Sequence, residues 1–140
     1  MTNDPTCAFC SIVRGEAGAE VVLDVPAAVG FLDRSPLFAG HVLVVPRAHV
    51  VTLPELRDVG PFFEAVQRVA GVVPEALGAQ GTFVAINNVV SQSVAHLHAH
   101  VVPRTRGDGL RGFFWPRRKY GDGEAADVAE RLRRLLVATP

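Results

Sequence analysis

The sequence predicts an α+β domain: an antiparallel sheet of about five strands with helices packed on it, and one extra helix at the C-terminal end. Three observations predict it. Five short runs, most of them rich in β-branched residues, read as strands. One longer segment carries apolar residues at helical spacing. The chain's 140 residues, 49% hydrophobic and 20% charged, suit a single domain with its own core.

Taken in order, Cys7 to Arg14 has room for one or two helical turns ending near Gly15. Val21 to Asp24 and Val29 to Asp33 read as a strand pair around Pro26, and His41-Val42-Leu43-Val44-Val45 as a buried strand. From Pro61, the positions Phe62, Val66, Val69 and Val73 recur at spacings of four, three and four, one face of an amphipathic helix. Pro61 suits the first turn. Pro74 is expected to kink or interrupt the helix, because an interior proline lacks a backbone donor and clashes with the preceding turn. Thr82 to Asn87 and Leu97 to Val102 read as two more strands. The last element, about Glu124 to Val137, puts Val128, Leu132 and Leu135 on one stripe, with Asp122 as its expected cap and Arg131, Arg133 and Arg134 toward its C-terminal end. No repeat or long linker divides the chain. Residues 1–104 are expected to form the core, and 105–140 a loop and helix packed on the same domain.

The 14 Lys and Arg residues balance the 14 Asp and Glu residues, so no global field attracts nucleic acid or an anionic membrane. Neither is expected as a partner. With no apolar run long enough to span a bilayer and no charged-then-apolar leader, the expected location is the cytoplasm. Charge is uneven locally: Arg104, Arg106, Arg111, Arg117, Arg118 and Lys119 face one acid, Asp108. That stretch suits either an anion site or a solvated basic loop.

Cys7 and Cys10 form a C-x-x-C, and a reducing compartment argues against a structural disulfide. Lying so near the N-terminus rather than inside a βαβ unit, the pair fits zinc better than thioredoxin-type redox chemistry, provided two more ligands exist.

The densest chemistry is Gln92-Ser93-Val94-Ala95-His96-Leu97-His98-Ala99-His100. In a strand, His96, His98 and His100 project to one side over ~13 Å, four residues at ~3.3 Å each, while Leu97, Ala99 and Val101 enter the core. A single strand histidine is more often a hydrogen-bonded bystander. Three of the five histidines within five positions are not explained that way. Two functions remain open: phosphoryl chemistry on an imidazole, or a catalytic zinc held by the triad. The second competes with Cys7 and Cys10, which need imidazoles to complete a closed Cys2His2 site.

The His-apolar-His-apolar-His alternation preceded by Gln-Ser-Val resembles the signature of the histidine triad superfamily, and more closely its Hint-like nucleotide-binding branch. The resemblance extends to Cys7-Ala8-Phe9-Cys10, Arg14-Gly15-Glu16, Phe31-Leu32-Asp33-Arg34-Ser35-Pro36, Gly40-His41 through His49, and Asn87-Asn88, covering about Cys7 to Arg104. It implies a homodimeric enzyme of that fold that binds a purine nucleotide. In the implied mechanism His98 attacks the α-phosphorus and leaves a nucleotidyl-histidine that water cleaves. Ser93 would donate to the phosphate or leaving-group oxygen, His100 would hold the non-bridging oxygens, and His41 would orient His98 or shuttle protons. Asp33 would take the ribose hydroxyls, Phe31 and Leu32 the base, and Asn87, Asn88 and Gln92 the phosphate or ribose region. For Asp33 a plain turn role before Ser35-Pro36 stays open. The resemblance also implies a structural zinc on Cys7, Cys10, His49 and His96.

Two stretches depart from the family pattern. The loop from Asn87 to Ser93 is two residues short, with Ser91 where glycine is usual. After Arg104, the run Arg106 to Arg117, with Phe113, Phe114 and Trp115, suits either a lid over a phosphorylated ligand or an anchor for the last helix. The expected activity is cleavage of a phosphoramidate or acyl conjugate of a nucleoside monophosphate. A dinucleoside polyphosphate hydrolase or phosphorylase, and a nucleotide-binding regulatory module, are the alternatives.

Overall fold

The computed structural model describes residues 4–110 and 117–138, and the chain divides into two compact units, 1–108 and 109–140. In the first, the elements run α1 (Ala8–Val13), β1 (Val21–Val25), β2 (Ala28–Leu32), β3 (Val42–Pro46), a 3-10 turn (Leu53–Glu55), α2 (Val59–Leu77), β4 (Gly81–Ile86) and β5 (Ala99–Arg104). The five strands form one antiparallel sheet in the order β1-β2-β3-β5-β4. Every strand expected from the sequence is present, displaced by two residues or fewer. The Val25↔Ala28 pair closes the β1-β2 hairpin around Pro26 and Ala27.

Alternation along the strands builds two cores. Val42 and Val44 of β3, with Leu97, Ala99 and Val101, face α2 and pack against Phe62, Ala65, Val66, Val69 and Val73. All but Ala65 of these helix positions are ones that the sequence spacing picked out, and burying a side chain such as Phe62 is worth about 1.5–3 kcal/mol. On the opposite face Val29, Phe31, Leu43 and Val45 pack with Phe9 of α1. Each strand residue therefore serves either the α2 core or the face that carries the imidazoles.

Pro74 does not interrupt α2, which runs on to Leu77. The expected break fails because the proline sits in the last turn: Gly78, in the left-handed conformation at φ 66°, caps the helix and returns its N–H to the Pro74 carbonyl. Gly40, at φ +94°, leads into β3 so close to α2 that a Cβ would lie 2.7 Å from Cγ of Leu77. Only glycine fits there without a shift.

The second unit contains α3 (Glu124–Ala138). Its expected cap, Asp122, is not the group that reaches a backbone N–H here: the Glu124 carboxylate takes the Gly121 N–H at 3.0 Å. Glu130 pairs with Arg133 and Arg134 one turn on. Arg111, Phe113, Phe114 and Trp115 lie outside the described residues. Among the described residues no helix is long and apolar enough to cross a membrane.

Candidate active site

The three triad imidazoles enter from the start of β5. The strand begins at Ala99, so His96 and His98 precede it and only His100 lies within it. The alternation still holds, with Leu97, Ala99 and Val101 fully buried against α2 and the rings on the other face. Each ring then acquires a different partner.

His98 is 2% exposed, and its Nδ1–H donates to the main-chain carbonyl of His96 at 2.8 Å. This fixes the tautomer, leaving the Nε2 of the neutral ring with a lone pair. Among the described residues Nε2 has no hydrogen-bond partner, and no fully buried side-chain nitrogen or oxygen lacks one. Nε2 is therefore the part of the ring that opens to solvent. The edge-on ring of Phe9, 5.1 Å away between centroids, walls one side.

His100 belongs to a relay whose direction the backbone sets. The Leu37 N–H donates to Nδ1 of His41 at 3.1 Å, so the neutral His41 ring carries its proton on Nε2. That Nε2 donates to Nδ1 of His100 at 2.9 Å, which leaves the proton of His100 on Nε2. Both rings are neutral at pH 7. Burial holds His41 below its usual range, and burial with the neighbouring His98 and His41 pushes His100 down to about 4. Oδ2 of Asp33 lies 3.7 Å from Nε2 of His41, and its Oδ1 accepts the Ser35 N–H at 2.9 Å. Asp33 is thus a turn residue and a neighbour of the relay at once.

The ring of His96 turns away from this relay toward the cysteines. Its Nδ1 lies 3.5 Å from Sγ of both Cys7 and Cys10, and 3.2 Å from Nδ1 of His49, which is 3.3 Å from Sγ of Cys10. Bond lengths of about 2.3 Å to sulfur and about 2.0–2.1 Å to nitrogen put tetrahedral zinc donors roughly 3.6 Å apart for nitrogen and sulfur, and roughly 3.3 Å apart for two nitrogens. The observed spacings match. Nε2 of His96 donates to the Pro46 carbonyl at 2.9 Å, and Nε2 of His49 lies 3.9 Å from the Asp4 carboxylate. The bond to Pro46 fixes the tautomer of His96, so its Nδ1 lone pair is aimed at the point where the two thiols and Nδ1 of His49 converge, as a metal ligand requires. Burial pushes His96 down to about 4, keeping it neutral as a ligand must be. Burial pushes the Cys10 thiol up, which a bound cation would reverse.

A family model described as the HIT domain matches residues 14–107. The chain belongs to the HIT family. It is 30% identical to a protein of Arabidopsis thaliana named adenylylsulfatase, over all of this chain and 73% of that protein. It is likewise 30% identical to an adenosine 5'-monophosphoramidase of Schizosaccharomyces pombe, over 79% of this chain and 84% of the other. A zinc-bound histidine triad family protein of Mycobacterium smegmatis is 36% identical, with a TM-score of 0.71 over 96% of this chain and 98% of its own.

In this HIT chain the short loop before the triad is held by its own side chains. Asn88 Oδ1 accepts the Leu53 N–H at 2.8 Å, and Gln92 bridges the Val89 N–H and the Val51 carbonyl at 3.0 and 2.6 Å. The side chains of Asn87 and Ser93 make no hydrogen bond among the described residues, and Ser93 is exposed. Val89 and Ser91 take φ of 69° and 62°, so the loop keeps a left-handed turn where the family pattern has glycine. Phe31 and Leu32 point to opposite faces: Phe31 is buried edge-on to Phe9 at 5.4 Å, whereas Leu32 lines an apolar hollow of about 340 Å³ with Val69, Val73 and Leu77 on the α2 side. Leu32 is not brought to the triad. Arg104, in the basic stretch, is paired to Asp108 at 2.6 Å.

Sequence reasoning missed Phe9, whose ring touches both His98 and His96, and three backbone groups: the Leu37 N–H and the carbonyls of Pro46 and His96. An apolar residue inside the C-x-x-C, with Ile12 and Val13 at helical spacing behind it, was the available signal for Phe9. Backbone groups leave none.

Proposed function

We propose that this chain is a nucleotide-binding hydrolase that cleaves at the α-phosphate of a nucleoside monophosphate conjugate, of the phosphoramidate or acyl type, by way of a nucleotidyl adduct on His98. One observation carries the reading: the backbone-fixed tautomer of His98, with its bare Nε2 as the solvent-facing atom of a buried ring. Nε2 attacks the α-phosphorus, the bond to the leaving group breaks, and the departing amine takes up a proton. Water then attacks the phosphorus, restores His98 and releases the nucleoside monophosphate.

The surrounding groups suit the charge changes in those steps. His100, with its proton on Nε2 and held by His41, donates to the non-bridging oxygens, and the exposed Ser93 hydroxyl serves the leaving-group side. Phe31 and Phe9 offer the base an aromatic wall, Asp33 has an oxygen left for the ribose hydroxyls, and Asn87 is the loop amide with both ends open. Asn88 and Gln92 hold the loop in shape. Cys7, Cys10, His49 and His96 hold a structural zinc that ties the N-terminal segment to the triad; no chemical step runs through it. The assembly we expect is a homodimer.

The relative named adenosine 5'-monophosphoramidase supports an amine leaving group. The one named adenylylsulfatase favours a second reading within the same mechanism, an acid anhydride with sulfate as the leaving group. A panel of adenosine phosphoramidate, adenylyl sulfate and diadenosine tetraphosphate, assayed for AMP release with the wild type and His98→Asn, tests the function. AMP from either of the first two, lost in the variant, supports it. No release from any compound, or equal release by the variant, overturns it.

A further inference from the structure

α1 is six residues long, too short to be stable alone, and is attached to the sheet in two ways. Cys7 caps it and Cys10 lies in its first turn, so two of the four candidate metal ligands are built into the helix. Between them in sequence stands Phe9, 8% exposed, with its ring 5.4 Å from Phe31, 6.0 Å from His96 and 5.1 Å from His98. The residue that walls the nucleophile is therefore positioned by the two thiols on either side of it. A second connection runs through His96, whose Nδ1 faces the cysteines while its carbonyl takes the Nδ1–H of His98 at 2.8 Å.

From these two connections we infer that metal in the Cys7–Cys10–His49–His96 cluster and nucleotide at His98 are thermodynamically coupled, each tightening the other, with Phe9 as the positioning residue. The inference rests on the nucleotide and zinc readings above. Without the metal, α1 is held by the packing of Phe9, Ile12 and Val13 and by the weak contacts of its two thiols, and a nucleotide that uses the Phe9 wall must complete its ordering. With the metal bound, that ordering is already done, and the gain appears as affinity. Linkage makes the effect reciprocal: the factor by which zinc tightens the nucleotide equals the factor by which the nucleotide tightens zinc.

The test uses the full chain, kept reduced with a phosphine. AMP binding is measured by calorimetry on the metal-free and zinc-loaded protein, and zinc affinity by chelator competition with and without saturating AMP. Coupling of the ordinary kind predicts equal factors of about fivefold or more in both directions. Phe9→Ala is expected to bring both factors close to one, whatever the change in its zinc affinity in the absence of AMP, and Phe9→Tyr to restore them. AMP affinity within about twofold in the two metal states overturns the inference. So does loss of the far-ultraviolet circular dichroism signal on metal removal, which would assign any difference to global unfolding. If zinc-loaded protein binds no AMP, the nucleotide reading fails and takes the coupling with it. If the chain takes up no zinc, the metal reading fails likewise.

Discussion

The Nδ1–H of His98 is spent on the carbonyl of His96, two residues back, at 2.8 Å. A main-chain oxygen thus decides which nitrogen of the central triad ring is left bare, and the side chain of the residue that supplies this oxygen is turned toward Cys7 and Cys10. The triad and the Cys/His cluster thus meet at one residue, His96.

Because the Leu37 N–H fixes the tautomer of His41, and His41 in turn fixes that of His100, removing the middle ring should matter more than changing its basicity. His41→Ala is expected to lower kcat by roughly 10–100-fold, less than removal of an oxyanion donor outright at about 10²–10³-fold. His41→Gln, whose amide can both accept from Leu37 and donate to His100, should recover part of that loss. Steady-state kinetics on the two variants checks it; equal activities in both would refute the relay.

Metal removal should cost stability because four candidate ligands from three separate segments converge on one point. At a free zinc concentration of about 1,000 Kd the bound ion is worth about 4.1 kcal/mol. A chelator, or Cys10→Ala, is accordingly expected to lower the Tm. If the wild-type melting curve is the same with zinc and with chelator, the cluster holds no structural ion.

Acid should destabilise the metal-free chain in a defined window. His96 and His100 both fall from 6.5 to about 4 in the folded state, mainly through burial, and His41 moves the same way. Below 6.5 the unfolded chain binds more protons than the folded one, so stability rises with pH between about 4 and 6.5 and is lost as pH falls through that range. Tm measured at pH 7 and pH 5 should be lower at pH 5. An unchanged Tm would mean that the three rings are not buried as neutral groups.

Val89, 74% exposed, stands at φ 69°, a left-handed conformation that a β-branched residue rarely adopts. Relieving it saves about 1–2 kcal/mol, against about 0.5–1 kcal/mol of extra glycine entropy. Val89→Gly should therefore be stabilising by roughly 0.5–1 kcal/mol, a rise in Tm of a few degrees. A lower Tm would place the loop's strain elsewhere.

What was legible in the sequence followed from periodicity. Phe62, Val66, Val69 and Val73 announced the buried face of α2, and Leu97, Ala99 and Val101 the buried side of the triad segment, because both patterns record a single interface. The grouping of Cys7, Cys10, His49 and His96 came through resemblance alone, since ligands so far apart in the chain leave no periodic trace. Pro74 misled because its distance from the helix end was not known. The resemblance puts Leu32 beside Phe31 at the base, whereas consecutive strand residues face opposite ways, a rule legible in the sequence itself. The relay from Leu37 through His41 to His100 was hidden because its direction depends on a backbone N–H. The same holds for the carbonyl that aligns His98.

The most direct test is to mix the chain with adenosine phosphoramidate, quench within the first turnover, and record the intact mass. A species heavier by one adenylyl group, mapped to His98 and missing from His98→Asn, is the predicted result. Full turnover with no such species, or an adduct that forms on another residue and survives the substitution, would contradict the account.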